Sequence, residues 1–182
     1  NTLVALDQQS GSVAGKTKLT DQARAYTSAA TTYYDGLVYI GIAGGEVGVR
    51  GKFGAYDAKT GKEVWSFWTI PGPGERGSDT WQGDSYKHGG GPIWNHPAID
   101  PDLHMIYVPV GNAGPDNDGS DRAGDNLFTA SIVALDAKTG RRIWHFQMVH
   151  HDLWEYDTVG PATLGEITVD GRRIKAVIQP SK

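Results

Sequence analysis

The sequence predicts an all-β fold of many short strands, on three observations. A frame of Asp-x-x-Thr-Gly followed by an aromatic recurs, as "GAYDAKTGKEVWSF" (54–67) and "VALDAKTGRRIWHF" (133–146), with a weaker copy, "VALDQQSGSVAG" (4–15). The 182 residues include 25 glycines and 6 tryptophans, which suits tight turns and aromatic packing. No segment has a convincing amphipathic-helix pattern, and the single hint, "TDQARAYTSAA" (20–30), is short.

Each copy of the frame reads as a β-hairpin. An apolar strand runs into an aspartate whose carboxylate can cap the turn, Thr-Gly closes that turn with glycine free to take positive φ, and a second strand opens on an aromatic. A tryptophan at a fixed place, Trp65 and Trp144, predicts a device that docks one sheet onto the next; the first copy has Gly15 there. Further strands are expected at 36–43, 104–110, 128–136 and 172–180. Repeated hairpins and short strands point to a propeller or a sandwich. The aspartates lie 50 residues apart (7 to 57) and then 79 (57 to 136), one blade and then a blade with an insertion, the Gly- and Pro-rich stretch 70–92. At that period the chain holds about three to four blades of a larger ring, as one domain over 1–182.

Composition narrows the function. Hydrophobic residues at 38% and charged residues at 21% allow a packed core. A net charge of −4 argues against a nucleic-acid partner. No run of about eighteen apolar residues offers a membrane span. With no cysteine there is no disulfide, thiolate nucleophile or zinc–sulfur site. The chain opens on Asn1 with no cationic, apolar leader, so the expectation is a removed leader or a piece of a longer chain.

Three stretches carry chemistry-bearing residues. "GIAGGEVGVRG" (41–51) places Glu46 in a glycine-rich turn that is no phosphate loop, because no helix follows. "HGGGPIWNHPAIDPDLHMIYVPVGNAGPDN" (88–117) places Trp94 after a triple glycine and Asn112 in a loop beyond a strand. The acidic run Asp116, Asp118, Asp121 and Asp125 lacks the spacing of a calcium-binding EF-hand loop and reads as a solvated loop. "HHDLWEYDTVG" (150–160) sets His150 and His151 side by side, which on an extended chain point opposite ways and so do not ligate one metal together. Glu155 and Asp157, two apart, can share a face.

Together these motifs resemble the quinoprotein alcohol and glucose dehydrogenases, which use pyrroloquinoline quinone (PQQ). "GGEVGVRG", "IPGPGE", "GGGPIW", "YVPVGNAGP", "GDNLFTASIVALDAKTG" and "HHDLWEYD" occur in that family's order and cover nearly the whole chain. The resemblance implies part of an eight-bladed β-propeller with tryptophan-docking repeats. It implies that Glu46 and Asn112 ligate a calcium or lanthanide ion, both hard cations suited to oxygen donors. By the same likeness Trp94 stacks on PQQ, Gly44 and Gly45 cover its other face, Thr27 bonds a cofactor carboxylate, and Lys182 contacts the quinone oxygens. Glu155 falls in the slot of the catalytic aspartate and among the metal ligands, and Asp157 where the lanthanide-using branch carries an extra carboxylate ligand. Ala43 and Pro92 depart from a serine and a threonine common in the family.

The implied reaction is oxidation of an alcohol or an aldose hydroxyl. Glu155 takes the hydroxyl proton, hydride leaves the substrate carbon for the quinone, and Lys182 stabilises charge on the reduced oxygens. The implied partners are the remaining blades and an electron acceptor, cytochrome c or ubiquinone, and the implied location is the bacterial periplasm. A non-catalytic propeller scaffold built from the same repeats is the alternative. It would need the repeats but not Glu46, Trp94, Asn112 and Lys182 together.

Overall fold

The computed structural model describes residues 1–158 and 160–182. Among the described residues, twelve strands form four antiparallel sheets. β1 (Thr2–Leu6) pairs with β2 (Val13–Lys18). β3 (Thr32–Tyr34), β4 (Leu37–Gly41), β5 (Lys52–Asp57) and β6 (Glu63–Trp68) make a four-stranded meander. β7 (Ala98–Asp100), β8 (Met105–Val110), β9 (Ser131–Asp136) and β10 (Arg142–Gln147) make a second. β11 (Thr163–Val169) pairs with β12 (Arg172–Ile178).

The sheets stack face to face in chain order, and strand alternation shows it. On β8, Ile106, Val108 and Val110 enter a core shared with Tyr39, Phe53 and Trp65 of the preceding sheet. Tyr107, pointing the other way, joins Ile132 and Ala134 against Leu164 and Val177 of β11 and β12. Ile40 and Tyr56 likewise face Leu3 and Leu19 on the far side of their sheet. Both faces of each four-stranded sheet are thus covered, which is why the inner strands read as unbroken apolar runs. Stacked four-stranded meanders flanked by two-stranded sheets form an arc of a propeller.

The recurring turn is built the same way three times. Asp7, Asp57 and Asp136 each accept, through Oδ1, the backbone N–H two and three residues on and the Ser or Thr hydroxyl three residues on, at 2.6–3.2 Å. Bonding from that hydroxyl and backbone holds each carboxyl below its ordinary value. Gly11, Gly61 and Gly140 close the turns at φ of 70°, 69° and 71°. No helix forms over 20–30, where the chain turns at Ala23–Arg24 and Tyr26 makes an isolated bridge to Ala43. β3, β7 and β11 were not among the strands expected from the sequence.

Trp65 docks as expected. Its Nε1–H donates to Ala137 O at 3.1 Å, and the indole lies flat against Gly140 in the next turn, where a Cβ would overlap it. Where the first copy lacks tryptophan, Thr17 Oγ1 donates to Gly61 O at 2.8 Å and holds the next turn instead. Gly140→Ala and Gly11→Ala separate turn strain from docking, because nothing lies within 4 Å of a Cβ at Gly11. Gly11→Ala is expected to cost about 1–2 kcal/mol, the left-handed backbone alone. Gly140→Ala is expected to cost about 1–3 kcal/mol more from overpacking against Trp65. Denaturant midpoints measure both, and equal losses would contradict the docking.

Candidate active site

Four loops at one end of the stacked sheets carry the candidate residues. The β4–β5 connection holds Gly44–Glu46, the β6–β7 connection holds Trp94, the β8–β9 connection holds Asn112, and the loop after β10 holds Glu155 and Asp157. Backbone bonds lace the first three together. Ile93 N–H donates to Ile42 O, Gly51 N–H to Gly90 O, Gly91 N–H to Asn112 O and Gly111 N–H to Pro92 O, all at 2.8–2.9 Å. Such close approach needs residues without a Cβ: one added at Gly51 would overlap Gly91 O, and one at Gly41 would overlap Ile93.

Gly44 takes φ 111° and opens a one-turn 3₁₀ helix, Gly45–Val47, which leaves Glu46 exposed. Tyr26, adjacent to Thr27, donates its hydroxyl to Glu46 Oε1 at 2.7 Å. Gly45 packs on Pro92, two residues from Trp94. Trp94 is half-buried, and among the described residues no aromatic ring stacks on it. Asn112 is buried, with Nδ2 donating to Asp116 Oδ1 at 2.8 Å and to Ala113 O at 3.2 Å.

Glu155, Asp157 and Lys182 meet on one side. Lys182 Nζ lies 3.3 Å from Glu155 Oε2, and the Lys182 N–H donates to Asp157 O at 3.1 Å. Glu155 sits at φ 56°, held by its neighbours' bonds: Asp152, buried, accepts the N–H groups of Trp154 (2.9 Å) and Tyr156 (2.7 Å) on its two carboxylate oxygens. Burial raises the Asp157 carboxyl above its ordinary value; the charges of Glu155 and Asp116 add to this, and the Asn112 N–H and Lys182 oppose it. Asp157 Oδ1 is buried without a partner.

The proposed ligand set does not converge as it stands. Glu46 is committed to Tyr26 and Glu155 to Lys182, and among the described residues no three His, Asp or Glu side chains form a group that could hold a metal ion. Like-charged carboxylates repel when drawn together, so pairing them with a hydroxyl and an ammonium is the lower-energy arrangement. The donor chemistry nonetheless suits a hard cation. Asp157 Oδ1 is an orphaned buried oxygen, and with both amide bonds made through Nδ2, Asn112 Oδ1 is uncommitted.

The acidic run is more than a solvated loop. Asp118, Asp121 and Asp125 are exposed, but Asp116 is half-buried on Asn112. Arg122, inside the run, is wholly buried and donates to Asn126 Oδ1 (2.8 Å), Pro115 O (2.9 Å) and Asp152 O (2.7 Å). It ties the Asn112 loop to the Glu155 loop. The two histidines reach that same loop, His151 Nδ1 to Gly124 O at 2.9 Å and His150 to Asp125 at 3.5 Å. Tyr26, Asp116, Arg122 and Asp152 are the site residues that sequence reasoning missed. The one local signal was the four-residue spacing of Asn112 and Asp116 in "GNAGPD".

Against known proteins, the family model described as PQQ, glucose/ethanol/alcohol dehydrogenase, β-propeller domain, matches residues 1–182. The chain belongs to this family. Among curated relatives of the family, it is 40% identical to the quinohemoprotein alcohol dehydrogenase ADH IIB of Pseudomonas putida, over 99% of this chain and 28% of that protein. It is 33% identical to the lanthanide-dependent methanol dehydrogenase of Methylacidiphilum fumariolicum, over 97% of this chain and 32% of that protein. Among solved structures, quinohemoprotein alcohol dehydrogenase ADHIIG from Pseudomonas putida HK5 superposes with a TM-score of 0.93 at 37% identity, over 100% of this chain and 29% of that one. A europium-containing methanol dehydrogenase superposes with a TM-score of 0.91 at 32% identity, over 99% of this chain and 34% of that one. The chain thus spans less than a third of the length of these two curated relatives.

Proposed function

We propose that the protein carrying this chain oxidises an alcohol or aldose hydroxyl with PQQ and a calcium or lanthanide ion. The observation that carries the reading is the meeting of Glu155, Asp157 and Lys182 beside Asn112, in a chain whose family match runs from end to end. When bound, PQQ supplies the hydride acceptor and the cation a Lewis acid. Asn112 Oδ1, Asp157 and the exposed carboxylates of Glu46 and Glu155 are the residues that would hold the cation. Trp94 offers an unstacked indole face, and Gly44–Gly45 a turn that a planar ring can approach. Thr27, next to Tyr26, supplies a hydroxyl for a cofactor carboxylate.

Glu155 is the base. It is half-exposed and paired with Lys182, and its carboxylate is open to accept the substrate's hydroxyl proton. Lys182, on the same carboxylate, stands ready to stabilise negative charge that develops beside it. Electrons leave to cytochrome c or ubiquinone, and the setting is the bacterial periplasm. Neither the lanthanide nor the calcium form is preferred by the donor types alone.

Binding tests this reading apart from turnover. In the full-length protein, Trp94→Ala is expected to weaken PQQ binding up to about tenfold, since an aromatic stack contributes about 0.5–1.5 kcal/mol beyond its area. Equilibrium dialysis or fluorescence titration measures it. Unchanged affinity would remove Trp94 from the cofactor site.

A further inference from the structure

Asn112 can serve a cation only through Oδ1, and an amide on a loop can present either end. Its orientation here is fixed from behind. Nδ2 donates to Asp116 Oδ1 at 2.8 Å and to Ala113 O at 3.2 Å, so both N–H groups are committed and the oxygen is left over. Ala113 O, a backbone carbonyl, also only accepts, but at 3.2 Å it makes the longer bond. Asp116 is the stronger of the two acceptors, at 2.8 Å, and an ionised carboxylate never donates. Flipping the amide would set Oδ1 against Asp116 Oδ1, two acceptors in contact.

Asp116 also brings charge. Its carboxylate is close enough to Asp157 to act on it electrostatically, as does Glu155. Asp116 and Asp157 thus flank Asn112, with Glu155 next to Asp157. The positive groups facing them are Lys182, paired with Glu155, and the buried Arg122, which Asp116 and Asp152 both influence. Of the groups Asp116, Asp157, Glu155, Lys182 and Arg122, the acids outnumber the cations, and a net negative field favours a trivalent cation over a divalent one in proportion to charge.

Resting on the proposed metal-dependent function, we propose that Asp116 is a positioning residue that orients the Asn112 amide oxygen toward the cation and biases the site toward a trivalent ion. Partners of this kind behind a ligand are worth about 10–100-fold in metal affinity. The two parts of the claim separate by substitution. Asp116→Leu removes both the acceptor and the charge. Asp116→Asn removes the charge and keeps an acceptor oxygen for Asn112 Nδ2, although its own NH2 end lets it hold the amide less strictly.

The test uses the full-length protein, freed of metal, with terbium luminescence for the trivalent ion and calcium by competition. Asp116→Leu is expected to weaken both ions about 10–100-fold. Asp116→Asn is expected to restore part of the calcium affinity while terbium stays weakened, so the ratio of the two moves. The melting temperature of the metal-free protein should fall by a few degrees in Asp116→Leu, where buried Asn112 Nδ2 loses an acceptor, and stay at the wild-type value in Asp116→Asn. Affinities within twofold of wild type in Asp116→Leu would overturn the proposal. So would equal losses for both ions in both variants together with a metal-free melting temperature lowered in Asp116→Asn as well, which marks a merely structural residue. Failure of the wild-type protein to bind either ion is a different result, and sinks the metal-dependent function itself.

Discussion

Arg122→Met in the full-length protein is expected to lose about 3 kcal/mol or more of stability. The side chain is wholly buried and serves three acceptors, Asn126 Oδ1, Pro115 O and Asp152 O. Methionine fills much of the volume but donates nothing, and each buried acceptor left unpaired costs about 1–3 kcal/mol. Removing a desolvated charge, whose Nε already lacks a partner, offsets only part of this. Arg122→Lys should recover little, because a point charge on a flexible stem does not reproduce a planar fork that reaches three directions. The loss has a functional side. Asp152, whose carbonyl Arg122 holds, caps the N–H groups on both sides of Glu155. A displacement of about 1 Å there is expected to lower turnover roughly a hundredfold. Urea denaturation and steady-state rates check the two halves, and a stability loss under about 1 kcal/mol would contradict the role given to Arg122.

Glu155→Ala should show the opposite signature. Its ion pair with Lys182 is half-exposed on both sides, and pairs of that kind contribute little to stability. The melting temperature should hardly move. Turnover should fall by about 10²–10⁴-fold, the usual worth of a positioned base. Glu155→Asp is expected to keep or raise turnover. Aspartate tolerates φ 56° better than glutamate, and its shorter side chain suits the slot that the family resemblance gives to aspartate. Equal rates in wild type, Glu155→Asp and Glu155→Ala would show that Glu155 is not the base.

The parts of the fold that were legible are local. Asp57 and Asp136 cap their turns with atoms two and three residues away, so the motif and the geometry are the same object. Trp65 was legible because a repeat marks it, although its partner, Ala137, lies 72 residues on. β3 and β7 were missed because three residues are too few to show alternation, and β11 because its Thr-Leu-Gly-Glu-Ile-Thr-Val mixes exposed polar and apolar residues. In the candidate site, residue types were legible and partners were not. Arg122 lies inside an acidic run with no motif to mark it, yet its bond to Asp152 spans 30 residues and helps decide where Glu155 sits. Glu46 looked like a ligand, and its present partner, Tyr26, lies in a stretch that hinted at a helix. Buried polar bonds between loops leave no periodic trace in a sequence.

The most direct measurement is dye reduction by the full-length protein reconstituted with PQQ and, in separate samples, calcium or a lanthanide. Alcohols and aldoses are offered as substrates. The expected result is substrate-dependent reduction of the dye that requires both PQQ and a cation and is lost in Glu155→Ala. Reconstituted protein that reduces no dye with any alcohol or sugar would contradict the assignment of this chain to a working dehydrogenase.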